Sequence, residues 1–252
     1  LSLPVDLLPD ELKDAFYKDN ATMMIALLED TTSADRSMEA IKEIRKLCNE
    51  QCFASGMTGL IEDVKELSDK ETPIYVAIAV VLSLIVLALT MESFITPVLF
   101  LLSIGLSILY NLGSNIIFGE ISYITKALTA VLQLGVTMDY SIFLLNSYEA
   151  NKERFNNDKE RAMAHAISNT FKSVVSSSIT TVAGFIALCF MSFTLGMDIG
   201  LVMAKGVILG VICCVTFLPS LILCCDGLIE KTKHKSLIPN MDRVSEFITK
   251  HS

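Results

Sequence analysis

Five long apolar segments dominate the chain after residue 72, and only short polar stretches separate most of them. They cover approximately residues 74–91, 97–118, 124–148, 174–193 and 199–225. Each approaches or exceeds the ~20 residues that an α-helix needs to cross the hydrocarbon core of a bilayer. The pattern therefore predicts a transmembrane bundle of five helices over residues 73–226, opened by Pro73.

Residues 1–72 have a different pattern, in which short apolar runs alternate with polar ones. The run 21–28 is typical of a buried strand, and Ser33 is a candidate N-cap for a helix that follows it. A second strand is predicted at 51–57, and a second helix at about 60–67. This order indicates a small α/β domain of the split βαβ type, too short to bury a large core unless it packs on sequence outside this chain.

Charge separates the two parts of the chain. Residues 1–71 contain sixteen acidic and eight basic residues, whereas the remainder contains twelve of each. The whole formal net charge of −8 therefore lies ahead of the apolar segments. Such a charge indicates a solvated domain.

Lysine and arginine predict the orientation. Ten of the twelve basic residues after residue 71 lie in the loop 149–173 or in the tail 227–252. The positive-inside rule places that loop and that tail in the cytoplasm, and residues 1–72 outside the cell membrane. Amphipathic stretches at 158–171 and after Pro239 are predicted to lie along the cytoplasmic face, the second leading to a further span that this chain lacks.

Five of the seven cysteines lie in or beside apolar segments, where cysteine behaves as a small hydrophobic residue. The other two, Cys48 and Cys52, are four residues apart near the end of the first predicted helix. A disulfide between them is one hypothesis, but two residues so spaced on one helix have unfavourable geometry for a bridge. No cysteine spacing suggests zinc, and we expect neither a metal nor a cofactor.

An acidic residue, Asp139, lies within the third apolar segment, with about two turns of apolar sequence on either side. A carboxylate at that depth is costly, and intramembrane acids usually mark ion or substrate pathways. Apolar surroundings disfavour the charged form of a carboxyl group, so protonation removes a desolvation cost. Two protonation states that favour different packing form an element that a proton gradient can bias. The sequence therefore predicts that Asp139 carries protons.

The neighbours of Asp139 predict close helix packing. Gly135 and Asn146 share its helix face, and Tyr140 offers a phenolic donor beside it. In the fourth segment, Ser177 and Thr181 belong to a hydroxyl-bearing face suited to packing and hydrogen bonding against the third. The alternatives are that Asp139 is a structural acid bonded to hydroxyl groups, and that Tyr140 and the hydroxyl-bearing face are ordinary packing.

Two lysines, Lys126 and Lys205, lie near the predicted outer ends of the third and fifth segments. Lysine at such positions commonly snorkels to the membrane surface. Either lysine is also a candidate counter-ion for Asp139. Asn111 and Asn115 in the second segment are interpreted as structural.

With the element Gly-Val-Thr-Met-Asp-Tyr at 135–140, the chain resembles the RND superfamily in its MMPL branch, and this segment resembles the fourth transmembrane helix of that family. Further similarity to bacterial members lies in residues 198–200, 204–206, 218–219 and 230–235. The resemblance implies proton-driven export of lipids or other hydrophobic compounds. It also implies two similar halves, each with six spans and an outer porter domain inserted after the first span.

On that template the chain is part of an N-terminal half that lacks its first span, part of its porter domain and the whole second half. The resemblance assigns the proton relay to Asp139 and Tyr140, with partners on the matching helix of the second half. The expected partners are protons, a hydrophobic or lipid-like substrate, membrane lipids and the second half of the same polypeptide. No nucleic-acid partner is expected.

Two other functions fit the same helix pattern. One is a lipid sensor or regulator similar to sterol-sensing domains, which share the Gly-x-x-x-Asp element. The other is an accessory subunit of protein secretion. An enzyme is not predicted, because the sequence contains no His-Glu-x-x-His, Gly-x-Ser-x-Gly or phosphate-loop motif.

Overall fold

The computed structural model describes residues 17–18, 21–49, 51–118 and 121–234. Two short strands and six α-helices occur among them, and a 3-10 turn, Ser114–Phe118, follows the third helix. The elements are β1 Tyr17–Lys18, β2 Ala21–Thr22, α1 Asp35–Leu47, α2 Met57–Thr90, α3 Ile95–Gly113, α4 Tyr123–Arg154, α5 Lys159–Leu188 and α6 Thr194–Lys231. The chain divides after Glu66 into two compact units.

Helices α2 to α6 confirm the predicted membrane bundle. In the described part of the chain, five helices are long and apolar enough to cross a bilayer, and they are these five. Pro73 lies inside α2 instead of preceding it. A proline removes one intrahelical donor, and the long helical stretches on both sides offset that loss. The predicted second short helix is therefore the beginning of α2.

The segment predicted as a loop, 149–173, is almost entirely helical. Helix α4 continues to Arg154 and α5 begins at Lys159, so the 158–171 stretch forms the first part of α5 instead of a separate interfacial helix. The side chain of Asp158 caps α5 by accepting a hydrogen bond from the Arg161 backbone N–H at 3.2 Å. Water can solvate the polar side chains at the end of a helix, so such residues are compatible with a helix. The hydropathy pattern alone does not distinguish such a helix end from a polar loop. Most of the predicted tail, including the stretch after Pro239, lies outside the described residues.

The first unit contains less β-structure than predicted. Strands β1 and β2 pair antiparallel over two residues each, with Tyr17 opposite Thr22. Residues 23–28 and 51–56 are not in strands, and Leu27 is 92% exposed. A strand needs a neighbour along its length, and none of the described residues supplies one there. The split βαβ arrangement stays a prediction.

Ion pairs hold α1 against the beginning of α2. Lys42 lies 2.6 Å from the buried Glu62 carboxylate, which raises the pKa of the lysine by a hydrogen bond and by charge. Lys65 lies 2.9 Å from Asp35. The N-cap of α1 is Ala34, with no side-chain capping bond, so the prediction that Ser33 caps this helix is wrong.

Helix α6 is the centre of the membrane unit and packs against α3, α4 and α5. Two glycines allow the close approach. A Cβ atom at Gly200 would lie 2.5 Å from the backbone oxygen of Phe185 in α5, and one at Gly210 would lie 2.4 Å from Cγ2 of Thr137 in α4. Small residues at helix interfaces permit such backbone contact in membranes. These close contacts leave α6 no room for larger side chains at these points.

Charged and polar contacts join several elements at one end of the bundle. The buried Asp226 of α6 accepts hydrogen bonds from the Tyr148 hydroxyl at 2.9 Å and the Lys152 ammonium at 2.8 Å. Lys159, at the start of α5, lies 2.8 Å from the same carboxylate. At this end too, the chain after α6 meets the α2–α3 turn, where His234 N–H donates to the Glu92 carbonyl at 2.8 Å. The α2–α3 turn, the α4–α5 turn and the end of α6 therefore lie on one side of the bundle.

We predict that Gly200→Ala lowers the stability of the membrane unit by about 1–3 kcal/mol, because the added methyl group meets a backbone oxygen that cannot rotate away. Thermal unfolding of the purified chain in detergent measures the change. The matched control is Gly105→Ala in α3, where nothing lies within 4 Å of the added Cβ. Equal stability of the two variants would contradict the close α5–α6 contact.

Candidate functional site in the membrane unit

Asp139 lies near the middle of α4 on the face that points away from the bundle. Gly135, Asp139 and Asn146 are all exposed, whereas Thr137 and Ser141 on the opposite face are buried. Between Lys126 and Glu149, Asp139 is the one charged residue of α4. The predicted shared face of Gly135, Asp139 and Asn146 is therefore present, and it is an exposed face of the described bundle.

Tyr140 points in a different direction from Asp139. Its side chain is 3% exposed and belongs to the same core cluster as Leu144 and Val207. Consecutive residues of an α-helix are separated by about 100° around the axis, so neighbours in sequence reach different surroundings. Tyr140 therefore fixes α4 to the core, and its relay role stays a prediction.

Asn146 lines a polar pocket, which lies at the same end of the bundle as the α2–α3 turn. The pocket has a volume of about 280 Å³, and its lining includes Glu92, Ser93 and Glu149. Asn146 follows Asp139 by seven residues, which corresponds to roughly 10 Å along the helix axis. A polar, partly open space thus lies two turns from the intramembrane acid.

The hydroxyl-bearing face of α5 is largely exposed. Ser177 is exposed and Thr181 is half-buried, whereas α5 buries Val174 and Ser178. The Thr181 hydroxyl donates to the backbone oxygen of Ser177 at 3.1 Å, within the same helix. The structure thus leaves Ser177 without the packing role expected of it, and any relay role of this face stays a prediction.

The two lysines have different surroundings. Lys126 is exposed at the beginning of α4. Lys205 is half-buried in α6, and its ammonium group donates to the Asn111 carbonyl at 3.0 Å and to the Asn115 side chain. Asn115 thus solvates the lysine with its side chain and Asn111 with its backbone carbonyl, contacts that agree with the structural interpretation of both residues. A counter-ion role for either lysine stays a prediction.

Sequence reasoning missed a buried hydrogen-bond network centred on Gln133. The Gln133 amide nitrogen donates to the Ser107 hydroxyl at 2.8 Å and to the Gly206 carbonyl at 3.1 Å. Its amide oxygen accepts from Asn111 at 2.8 Å, and Asn111 also donates to the Val202 carbonyl at 3.2 Å. One side chain of α4 is thus bonded to both α3 and α6.

A signal for this network was present in the sequence. Polar residues recur at every fourth position of α4, and all are buried: Thr125, Thr129, Gln133, Thr137 and Ser141. Residues four apart are neighbours on a helix surface, so these five form one continuous stripe along α4. Thr137 and Ser141 of this stripe lie opposite Asp139, so at that level α4 has two polar faces, of which one is buried in the bundle and the other is exposed.

Comparison with known proteins decides the family. A family model described as the MMPL family matches residues 17–236. The chain belongs to the MMPL family. This confirms the resemblance drawn from the 135–140 element.

This MMPL chain is similar to several known proteins. The probable transport protein MmpL4 of Mycobacterium leprae is 25% identical over 74% of this chain and 20% of its own length. The siderophore exporter MmpL5 of Mycobacterium tuberculosis is 25% identical over 75% of this chain and 20% of its own length. A putative membrane protein, MJ1562 of Methanocaldococcus jannaschii, is 20% identical over 86% of this chain and 58% of its own length. The chain thus spans about a fifth of the length of the two mycobacterial relatives, and no solved structure matches it.

We predict a coupling free energy of about 1 kcal/mol between Gln133 and Asn111, the magnitude found for hydrogen bonds between membrane helices. A double-mutant cycle of Gln133→Ala and Asn111→Ala, read by unfolding of this MMPL chain in detergent, measures it. Asn111→Ala with Asn146→Ala is the control cycle, because Asn146 lies on the exposed face of α4. Coupling as small in the first cycle as in the control would contradict the network.

Proposed function

We propose that this chain is part of the N-terminal half of a proton-driven transporter that exports lipids or other hydrophobic compounds, with Asp139 as the group that carries the proton. The observation that carries the proposal is a single acid in the middle of α4, on an exposed helix face, in a chain of the MMPL family. The names of MmpL4 and MmpL5 as a transport protein and an exporter support the class of function.

The exposure of Asp139 supports a role for the second half of the polypeptide. A charged carboxylate facing lipid at mid-membrane costs on the order of 3 kcal/mol even on lenient scales. The working protein therefore needs a polar neighbour for this face. Gly135 has nothing within 4 Å of its Cβ position, so it leaves room for a helix to approach next to the acid.

The polar pocket beside Asn146 offers Asp139 a proton route toward one side of the membrane. Glu92 and Glu149 line this pocket together with Ser93, and such groups hold water that can exchange protons. In this proposal a proton reaches Asp139 from the opposite side and leaves through the pocket. The charged and neutral forms of Asp139 then favour different packing against the second half, and this difference drives the transport cycle.

A lipid sensor is the second candidate, and one observation favours it. A groove of about 510 Å³ between α5 and α6 is lined almost wholly by apolar side chains, among them Phe171, Ile179, Ile208 and Ile212. A groove of that kind accommodates an acyl chain or a sterol. A sensor would not need proton exchange at Asp139, so substitution of that residue separates the two functions.

We predict that Asp139→Asn in the full-length protein abolishes proton-driven transport, because an amide cannot gain and lose the proton. The measurement is pH-gradient-driven uptake of labelled substrate into inverted membrane vesicles. The matched control is Glu153→Gln, the same acid-to-amide change at an exposed position near the end of α4. It should transport as the unaltered protein does.

Folding and insertion of the Asp139→Asn variant are checked by its amount in the membrane and its elution from a sizing column. Undiminished uptake by this variant would remove Asp139 from the coupling mechanism and favour the sensor. Loss of uptake in both variants would show that the assay reports general damage.

We predict that the α4–α5 turn faces the cytoplasm and the α5–α6 turn faces outward. In a cysteine-free version of the full-length protein, Ser192→Cys should react with an impermeant maleimide added to intact cells. Asn157→Cys should react only after the cells are opened. Both positions are exposed in the structure, so neither is buried by the described part of the chain. The reverse labelling would overturn the orientation derived from lysine and arginine.

A further inference from the structure

Two cysteine sulfur atoms in the first unit lie close together. The Sγ atoms of Cys48 and Cys52 are 3.0 Å apart, and both residues are free thiols. We propose that Cys48 and Cys52 are a redox-active pair that closes to an intramolecular disulfide when a thiol oxidant is present. Transport and membrane orientation are not premises of this proposal.

The geometric objection raised by the sequence does not hold in the structure. Helix α1 ends at Leu47, and Cys48 is its C-cap with extended backbone angles, φ −73° and ψ 138°. Beyond it the chain turns back, because the Cys52 N–H donates to the Asn49 carbonyl at 3.0 Å. The pair therefore does not share a helix, and the turn brings the two side chains toward each other.

Arg45 anchors both sides of this turn. Its Nε donates to the Ala54 carbonyl at 3.3 Å, two residues after Cys52. The rest of its guanidinium group forms a two-point ion pair with Asp63 of α2, with one contact at 2.9 Å. The segment after Cys52 is thus tied to the helix that precedes Cys48. This tie holds the two thiols near each other and lowers the entropic cost of closing the bridge.

The two thiols differ in access. Cys52 is exposed, whereas Cys48 is half-buried. An external disulfide therefore reaches Cys52 first. The other five cysteines lie within or directly after the membrane helices, and Cys213 and Cys214 are buried there. This leaves Cys48 and Cys52 as the pair that a water-soluble oxidant selects.

The reaction balances with a small disulfide, such as oxidised glutathione, as the oxidant. The Cys52 thiolate attacks one sulfur of that disulfide, forms a mixed disulfide and releases one glutathione thiol. The Cys48 thiolate then attacks the Cys52 sulfur, forms the Cys48–Cys52 bond and releases the second glutathione. The two cysteine protons end on the released thiols, and the two electrons lost by the pair reduce the oxidant.

The chain supplies a convenient readout, because trypsin releases Cys48 and Cys52 together. Cleavage after Lys46 and Lys65 yields the peptide 47–65, which contains no other cysteine. The reduced, purified chain in detergent is treated with oxidised glutathione, alkylated with iodoacetamide, digested and analysed by mass spectrometry. We expect the peptide to carry no alkyl group and to lack two hydrogen atoms, and to accept two alkyl groups once it is reduced.

Two alkyl groups on this peptide after oxidation, or a stable glutathione adduct on it, would overturn the proposal. In the Cys48→Ser variant the resolving thiol is gone, so Cys52 should keep its glutathione adduct. Cys224 and Cys225 are the internal control, because neighbours within α6 should remain open to alkylation. The test involves neither substrate nor Asp139, so its failure and the failure of the proposed transport function are distinguishable.

Discussion

The membrane unit depends on the hydrogen bonds that Gln133 makes to helices α3 and α6. In hydrocarbon, a buried amide without partners costs several kcal/mol, whereas apolar helices have little hydrophobic reason to associate with one another. Gln133 meets this constraint by bonding Ser107, Asn111 and the Gly206 carbonyl at once. The position and rotation of α4 are therefore fixed by a polar contact, and shape complementarity at Gly210 completes the fit.

The rotation of α4 explains why Asp139 is exposed. Asp139 follows Gln133 by six positions, which places the two side chains about 120° apart around the helix axis, so the rotation that buries Gln133 leaves Asp139 on an exposed face. The burial of Tyr140 has the same effect, because a rotation of α4 that turned Asp139 inward would move Tyr140 out of the core. Helices α3 and α6 thus hold the intramembrane acid on an outer face, where a further helix can reach it.

The sequence alone predicted the five spans, the family and the shared face of Gly135, Asp139 and Asn146, because hydropathy and helical spacing are local signals. It failed where the outcome depends on contacts between distant segments. The strand at 21–28 needs a partner that the described residues do not contain, and Pro73 is tolerated because helix continues on both sides. The role of Gln133 requires knowing which face of α4 is buried, and the turn that joins Cys48 to Cys52 requires knowing that α1 ends at Leu47.

Two exposed faces of the membrane unit differ in chemistry, and this difference decides whether lipid or protein suits each face. The apolar half of α2 exposes Ile78, Val81 and Ile85 by about half each, and lipid chains satisfy such a surface completely. The exposed face of α4 carries Asp139 and Asn146, whose hydrogen-bonding groups lipid cannot satisfy. A relative such as MmpL5 is about five times as long as the region that matches this chain. Such proteins therefore contain further polypeptide that is available to cover the face of α4. An arrangement with lipid against α2 and protein against α4 thus leaves the fewest polar groups unsatisfied.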